Sequence, residues 1–279
     1  MFVDIKDDFD LDKIIDSGQC FRPKYCAEIK KYRFICSDRV LYIGKTDEPQ
    51  RFEISCDEQE WKSCWKEYFD LETDYSKIRE YIENRPDAYA YLREAASYAE
   101  GIRILKQDYW ETLVSFIISQ RKSIPAIRSS VEKLCKAFGK IKITEYEKVY
   151  MFPKASDMIC ADANILSECG LGYRVPYILE AVKAVNEAGL CLEELGNLSN
   201  GELFERLCLM KGVGKKVADC VMLFAYHRTD RAPVDVWIRR VIEERFEGVN
   251  VFEDFGDYAG IVQQYVFYYV RCQAAIGNI

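Results

Sequence analysis

The sequence has one histidine, no run of 18 consecutive apolar residues and no cysteine pair at metal-ligand spacing. Each absence excludes something. A membrane-spanning helix needs about 20 mostly apolar residues, so none is expected. With His227 as the one imidazole, a His-rich metal site is excluded and any Ser-His-Asp triad would have to use it. It stands in the polar stretch YHRTDRAP, which reads as a surface loop. Twelve cysteines are present, but no two lie closer than Cys20 and Cys26. That spacing excludes a C-x-x-C zinc or redox pair. Without an export signal, buried free thiols are the expected state. Cys272 is alone near the C-terminal end, so no iron–sulfur loop is expected there. Neither a metal nor a cofactor is anticipated. The opening MFVDIKDDFD is acidic where a secretory signal is basic and then apolar. A cytoplasmic, nucleoid-associated protein that is not secreted is therefore expected.

What is present is a chain of 279 residues, 49% hydrophobic, enough for a sizeable core. Its net charge of −7 counts against a nucleic-acid partner. The charge is unevenly placed, however. Between Lys211 and Arg240 seven basic residues face three aspartates. The first third is β-rich: YRFIC (32–36) and VLYIG (40–44) flank a turn, and RFEISC (51–56) alternates as a third strand. From about residue 58 the pattern turns helical. Trp110, Leu113, Val114, Ile117 and Ile118 keep the 3.6-residue period, as do Ile127, Val131, Leu134, Cys135 and Phe138 before a stop at Gly139. Pro176 opens a helix that Gly189 closes, and Ser199 with Glu202 has the form of a capping box. The pattern predicts an α+β region with an antiparallel sheet over 1–98 and a helical region over 99–279.

The segment LCLMKGVGKKVADCVMLFAY (207–226) carries the most information. An amphipathic helix ends near Met210, a turn follows at Gly212 and Gly214, and a second helix begins near Lys215. Glycines one residue apart permit a tight turn and close approach of the backbone to a ligand. The free N–H groups and positive dipole end of the second helix make an anion site. A plain corner between two helices would look alike.

KGVGKKVADC (211–220) followed by PVDV (233–236) resembles the helix–hairpin–helix, Gly/Pro-rich loop and aspartate of the DNA glycosylase superfamily, and more narrowly the 8-oxoguanine DNA glycosylase family. The resemblance extends to SGQCFR (17–22), VSFIIS (114–119), VEKLCKAFG (131–139), LGYR (171–174) and YAGIVQQYVF (258–267). It implies an N-terminal antiparallel sheet like that of the TATA-binding protein, then two helical lobes with a catalytic cleft between them. It implies excision of 8-oxoguanine from duplex DNA by a monomer, with Lys216 as nucleophile and associated β-elimination. The physical case for Lys216 stands beside it. A lysine attacks only as the neutral amine, and a helix N-terminus disfavours the cation. Lys215 would disfavour it too if the two amines came close. Asp235 is implied as the carboxylate that stabilises positive charge at the sugar, and its position also suits an N-cap.

For the flipped base the resemblance implies Cys220 and Phe224, on one helical stripe with Lys216, and Gln263 and Phe267, four apart on another helix. Gln264 should point elsewhere. The Gly18 carbonyl is implied as the acceptor for the hydrogen that oxidation at C8 places on N7. Tyr173 resembles the wedge that fills the gap left in the duplex, and Arg174 a reader of the orphaned base. The remaining implied DNA contacts are Arg121, Gly212, Gly214, Val217 and Trp237. The sequence departs from the animal-type pattern after SFIIS. Arg121 and Lys122 replace asparagines, and Ala126 replaces an arginine, which implies weaker discrimination among opposite bases. Trp237 replaces a common phosphate-contacting histidine. These departures fit a bacterial or archaeal branch. The rival readings are an oxidised-pyrimidine glycosylase like endonuclease III and a non-catalytic DNA-binding module.

Overall fold

The structure is a computed structural model and describes residues 1–277. In chain order the strands and longer helices are β1 (Phe2–Asp4), α1 (Leu11–Asp16), β2 (Lys24–Cys26), β3 (Lys31–Cys36), β4 (Arg39–Lys45), β5 (Arg51–Ile54), α2 (Tyr75–Glu83), α3 (Ala90–Tyr98), α4 (Tyr109–Ser119), α5 (Ile124–Phe138), β6 (Ile141–Ile143), β7 (Lys148–Tyr150), α6 (Val175–Asn186), α7 (Asn200–Cys208), α8 (Lys215–Phe224), α9 (Val236–Arg245) and α10 (Ala259–Ile276). The first five strands form an antiparallel sheet in the order β1-β5-β4-β3-β2. Ile43 pairs with Ile54, and Phe2 with Glu53. The three strands predicted from the sequence, two as apolar runs flanking a turn and one from alternation, are β3, β4 and β5. Tyr32–Ile35 and Leu41–Gly44 are buried without a break, so both faces of these strands are covered. The short strands β1 and β2 and the β6–β7 hairpin carry no readable period.

The chain divides into two compact units assembled from interleaved segments. One comprises Met1–Gln19, Ile43–Lys106 and His227–Ile279. Its core holds Phe9 edge-on to both Phe52 and Phe69, with ring centroids 5.2 Å apart in each case. Arg103 is fully buried here. Its guanidinium donates to the carbonyls of Asp8, Phe69, Asp70 and Thr73 and to the Asp7 carboxylate, and it lies 4.2 Å from the Tyr75 ring. A buried charge is tolerable only when its donors are met in this way. Helix α10 packs on α3 through Tyr98, Tyr268 and Tyr269. His227 lies in a loop and is partly exposed, and its Nε2 lies 3.2 Å from a carboxylate oxygen of buried Asp70.

The other unit comprises Cys20–Tyr42 and Gln107–Tyr226. Its central helix, α4, is buried without interruption from Thr112 to Ile118 and packs against α5 and α8. Asp108 caps it by accepting from the Glu111 N–H at 2.9 Å. Arg22 is buried 3.6 Å from carboxylate oxygens of both Glu111 and Glu132. Desolvation pushes the Glu111 carboxyl up to about 7, against the pull of Arg22. The capping box at Ser199 and Glu202 forms as predicted. Gly189 does not itself end α6, which stops at Asn186. Gly139 ends α5 with an ordinary extended backbone, and a Cβ there would collide with the Met151 carbonyl.

Candidate active site

The hairpin forms where the glycines predicted it. Gly212 has φ +85, the left-handed region, and a Cβ on it would lie 2.4 Å from the Tyr177 ring. Gly214 differs. Its backbone is extended, and a Cβ there would meet no protein atom within 4 Å. Packing therefore gives no reason for glycine at 214, whereas close approach of a ligand does. Gly214 is the N-cap of α8 and supplies no side-chain cap. The first N–H turned back into the helix is that of Ala218, which donates to the Gly214 carbonyl. The N–H groups of Lys215, Lys216 and Val217 precede it and point out of the helix end, the arrangement that binds anions.

Lys215 and Lys216 separate. Lys215 Nζ donates to the buried Asp219 carboxylate at 3.0 Å and lies over the Phe204 ring. Lys216 Nζ lies 5.1 Å from the centre of the Phe116 ring. The neighbouring amine is thus engaged elsewhere, with its charge matched by Asp219. Below Lys216 on the same stripe, Cys220 and Phe224 are buried. Phe116 stacks on Phe224, with centroids 5.5 Å apart and planes 13° from parallel, and meets Phe21 edge-on.

In the first unit, Asp235 caps α9, its carboxylate accepting from the Ile238 N–H at 2.9 Å. Trp237 follows on the same helix, half-buried. On α10, Gln263 is 4% exposed and, among the described residues, its Oε1 has no hydrogen-bond partner. A buried amide oxygen left unmet costs free energy unless something arrives to use it. Phe267 is half-buried while Tyr265, Tyr268 and Tyr269 around it are buried, so it is no ordinary core aromatic. Arg271 lies over its ring. Gly18 has φ +80 and is half-buried, and among the described residues no group donates to its carbonyl.

The sequence model for the N-terminal domain of 8-oxoguanine DNA glycosylase matches residues 2–113, and that for the HhH-GPD superfamily of base excision DNA repair proteins matches 114–250. A solved structure of MBOgg1 in complex with a low-affinity DNA ligand is 36% identical with a TM-score of 0.90, covering 98% of this chain and 96% of its own. The chain belongs to the 8-oxoguanine DNA glycosylase family. The Clostridium acetobutylicum 8-oxoguanine glycosylase/lyase, solved in complex with double-stranded DNA containing cytosine opposite 8-oxoguanine, is 32% identical with a TM-score of 0.89 over 98% of both chains. The Saccharomyces cerevisiae N-glycosylase/DNA lyase is 30% identical over 87% of this chain and 69% of its own.

Around Tyr173 and Gln120 the side chains have their own arrangement. Arg174 is turned inward. It is buried, donates to the carbonyls of Leu171 and Gln120, and stacks on the Tyr173 ring. Tyr173 is half exposed. Arg121 is exposed with φ +51. Lys122 is tied down to Ser130 and to the Gly170 carbonyl, and burial pulls its pKa below the usual lysine value, helped by nearby Arg174 and Lys133. Sequence reasoning missed Gln120. Its side chain donates to the Gly212 carbonyl at 3.0 Å while its own carbonyl accepts from Arg174 and Tyr173. It links Tyr173 to the hairpin, and no motif marks it.

Proposed function

We propose that this chain removes 8-oxoguanine from duplex DNA and then cuts the strand at the abasic site it leaves. The observation that carries the reading is Lys216, in an uncapped first helical turn, within a chain similar over 98% of its length to an 8-oxoguanine glycosylase/lyase. Lys216 attacks the sugar C1′ as the neutral amine. The electron pair of the N-glycosidic bond leaves with the base, which takes up a proton. The lysine nitrogen gives up one proton, the C1′–O4′ bond breaks as O4′ takes up a proton, and a protonated Schiff base to Lys216 remains. Loss of a C2′ proton then breaks the C3′–O bond and expels the 3′ phosphate. Positive character builds at the sugar in the first step, and the Asp235 carboxylate, held by its cap bond, lowers that barrier.

Oxidation at C8 turns N7 from acceptor to donor, and the Gly18 carbonyl, to which no group among the described residues donates, is the acceptor proposed for it. The unmet Gln263 amide reads the Watson–Crick edge, Phe267 stacks on the base, and Cys220 and Phe224 lie beside it. Gly212, Gly214 and Val217 grip a phosphate through backbone N–H groups, and Arg121 and Trp237 add contacts. Tyr173 fills the gap left by the base. Arg174 reaches the orphaned base only by leaving the Gln120 carbonyl, and Ala126 supplies no hydrogen bond, so preference for an opposite cytosine is relaxed. Borohydride trapping on 8-oxoguanine duplex DNA tests the assignment. The parent protein should form a covalent adduct and Lys216→Gln none; trapping and cleavage by that variant would remove Lys216 from its role.

A further inference from the structure

Two glutamines stand side by side on α10 and are used differently. Gln263 keeps an unmet amide oxygen, whereas Gln264, 2% exposed, donates from Nε2 to the Ser17 carbonyl at 2.7 Å. That carbonyl belongs to the peptide leading into Gly18. The peptide leading out of Gly18 enters Gln19, whose side chain is equally fixed. Its Nε2 donates to Ser17 Oγ at 2.9 Å and to the Arg103 carbonyl at 2.8 Å, and its Oε1 accepts from the Leu105 N–H at 2.8 Å. The Ser17 hydroxyl in turn donates to the Ile14 carbonyl. Gly18, at φ +80, is thus a permissive residue clamped on both sides. Unclamped, a glycine samples many backbone orientations.

We propose that Gln264 is a positioning residue for lesion recognition: its bond to Ser17 aims the Gly18 carbonyl at the hydrogen on N7 of 8-oxoguanine. The inference rests on the proposed function and adds a part to it. Guanine and 8-oxoguanine differ at N7 by acceptor against donor, so discrimination depends on where one carbonyl points. A hydrogen bond weakens steeply once its angle is poor. The bond from Gln264 also ties the turn carrying Gly18 to the helix carrying Gln263 and Phe267. The groups that meet the base then keep a fixed mutual geometry.

The test uses the full chain carrying Lys216→Gln, which binds without cleaving, and compares affinity for duplexes holding 8-oxoguanine or guanine. Gln264→Met conserves volume and removes the donor; Gln264→Leu and Gln264→Glu serve if it does not fold. The expected result is a fall in the 8-oxoguanine-to-guanine affinity ratio of about tenfold, the loss of roughly one hydrogen bond's worth. With Lys216 restored, cleavage of a preformed abasic site should be within about twofold of the parent, because that step reads no base. An unchanged ratio, or an equal loss on both duplexes, would overturn the proposal, as would failure of all three variants to fold. Absence of any preference for 8-oxoguanine while Gln264 is intact would instead refute the proposed function.

Discussion

Gly212→Ala and Gly214→Ala should have opposite signatures. At 212 the backbone is left-handed, which costs an alanine about 1–2 kcal/mol. The new Cβ would also sit 2.4 Å from the Tyr177 ring, and relief of such overpacking costs about 1–3 kcal/mol more. The variant should therefore lose roughly 2–5 kcal/mol of stability, a clear fall in the urea midpoint. At 214 the backbone is extended, and a Cβ meets nothing in the protein. Alanine is a slightly poorer N-cap than glycine but also reduces unfolded-state freedom, so stability should stay within about 1 kcal/mol of the parent. Its Cβ nevertheless stands where a phosphate must approach the N–H groups of α8. Losing a hydrogen bond to a charged group costs about 1.5–3 kcal/mol, so the dissociation constant for abasic-analogue duplex DNA should rise about tenfold to a hundredfold. Urea melts and fluorescence anisotropy measure the two effects separately. If Gly214→Ala binds DNA as the parent does, or is as unstable as Gly212→Ala, the division of labour argued here is wrong.

Single-turnover excision opposite each of the four bases should give rates within about an order of magnitude of one another, and a strong preference for cytosine would refute the weight placed on Ala126 and inward-turned Arg174. Asp235→Asn keeps an amide oxygen to accept from the Ile238 N–H, so stability should change by less than about 1 kcal/mol while base excision falls a hundredfold or more; excision within threefold of the parent would leave Asp235 a cap alone. Glu111 takes up its proton at about 7 when folded, chiefly through desolvation, and near 4.5 when unfolded. The folded state thus binds more protons between those values, and stability falls as pH rises from 4.5 through 7, by on the order of 2–3 kcal/mol from this group. Glu111→Gln should flatten that slope when urea midpoints are compared at pH 5 and pH 8; an unaltered slope would exclude Glu111 as its source.

The parts legible in the sequence were those with a local signature. Strands β3, β4 and β5 are short apolar runs between turn residues, and α4, α5 and α7 carry a helical period or a cap. The β6–β7 hairpin escaped because Ile141 and Ile143 are exposed, contrary to what an apolar residue signals. Lys216 and Asp235 could be named because they lie at fixed offsets from the hairpin glycines and from a proline. Gln120 and Gln264 could not. Each acts on a backbone carbonyl, that of Gly212 at 92 residues' distance in one case and that of Ser17 at 247 in the other. A carbonyl leaves no trace in residue identity, so such a pairing is visible only after folding. The contact of His227 with Asp70 is hidden for a similar reason, since the two are far apart in the chain.

The charge of the chain also changes meaning once the side chains are placed. The excess of basic residues between Lys211 and Arg240 suggests a positive field, yet Lys215, Arg231 and Arg240 each face a carboxylate, of Asp219, Asp230 and Glu244. The field is weaker than the count. What the hairpin retains is directional: outward N–H groups and the positive end of α8, equivalent to about half an elementary charge. These act in contact with a phosphate. Exposed charges farther off are screened within about 8 Å at physiological ionic strength. A net charge of −7 therefore opposes DNA binding little once the duplex is in place, and the proposed grip depends on close backbone approach. This explains why the turn needs glycine at 214 more than it needs further lysines.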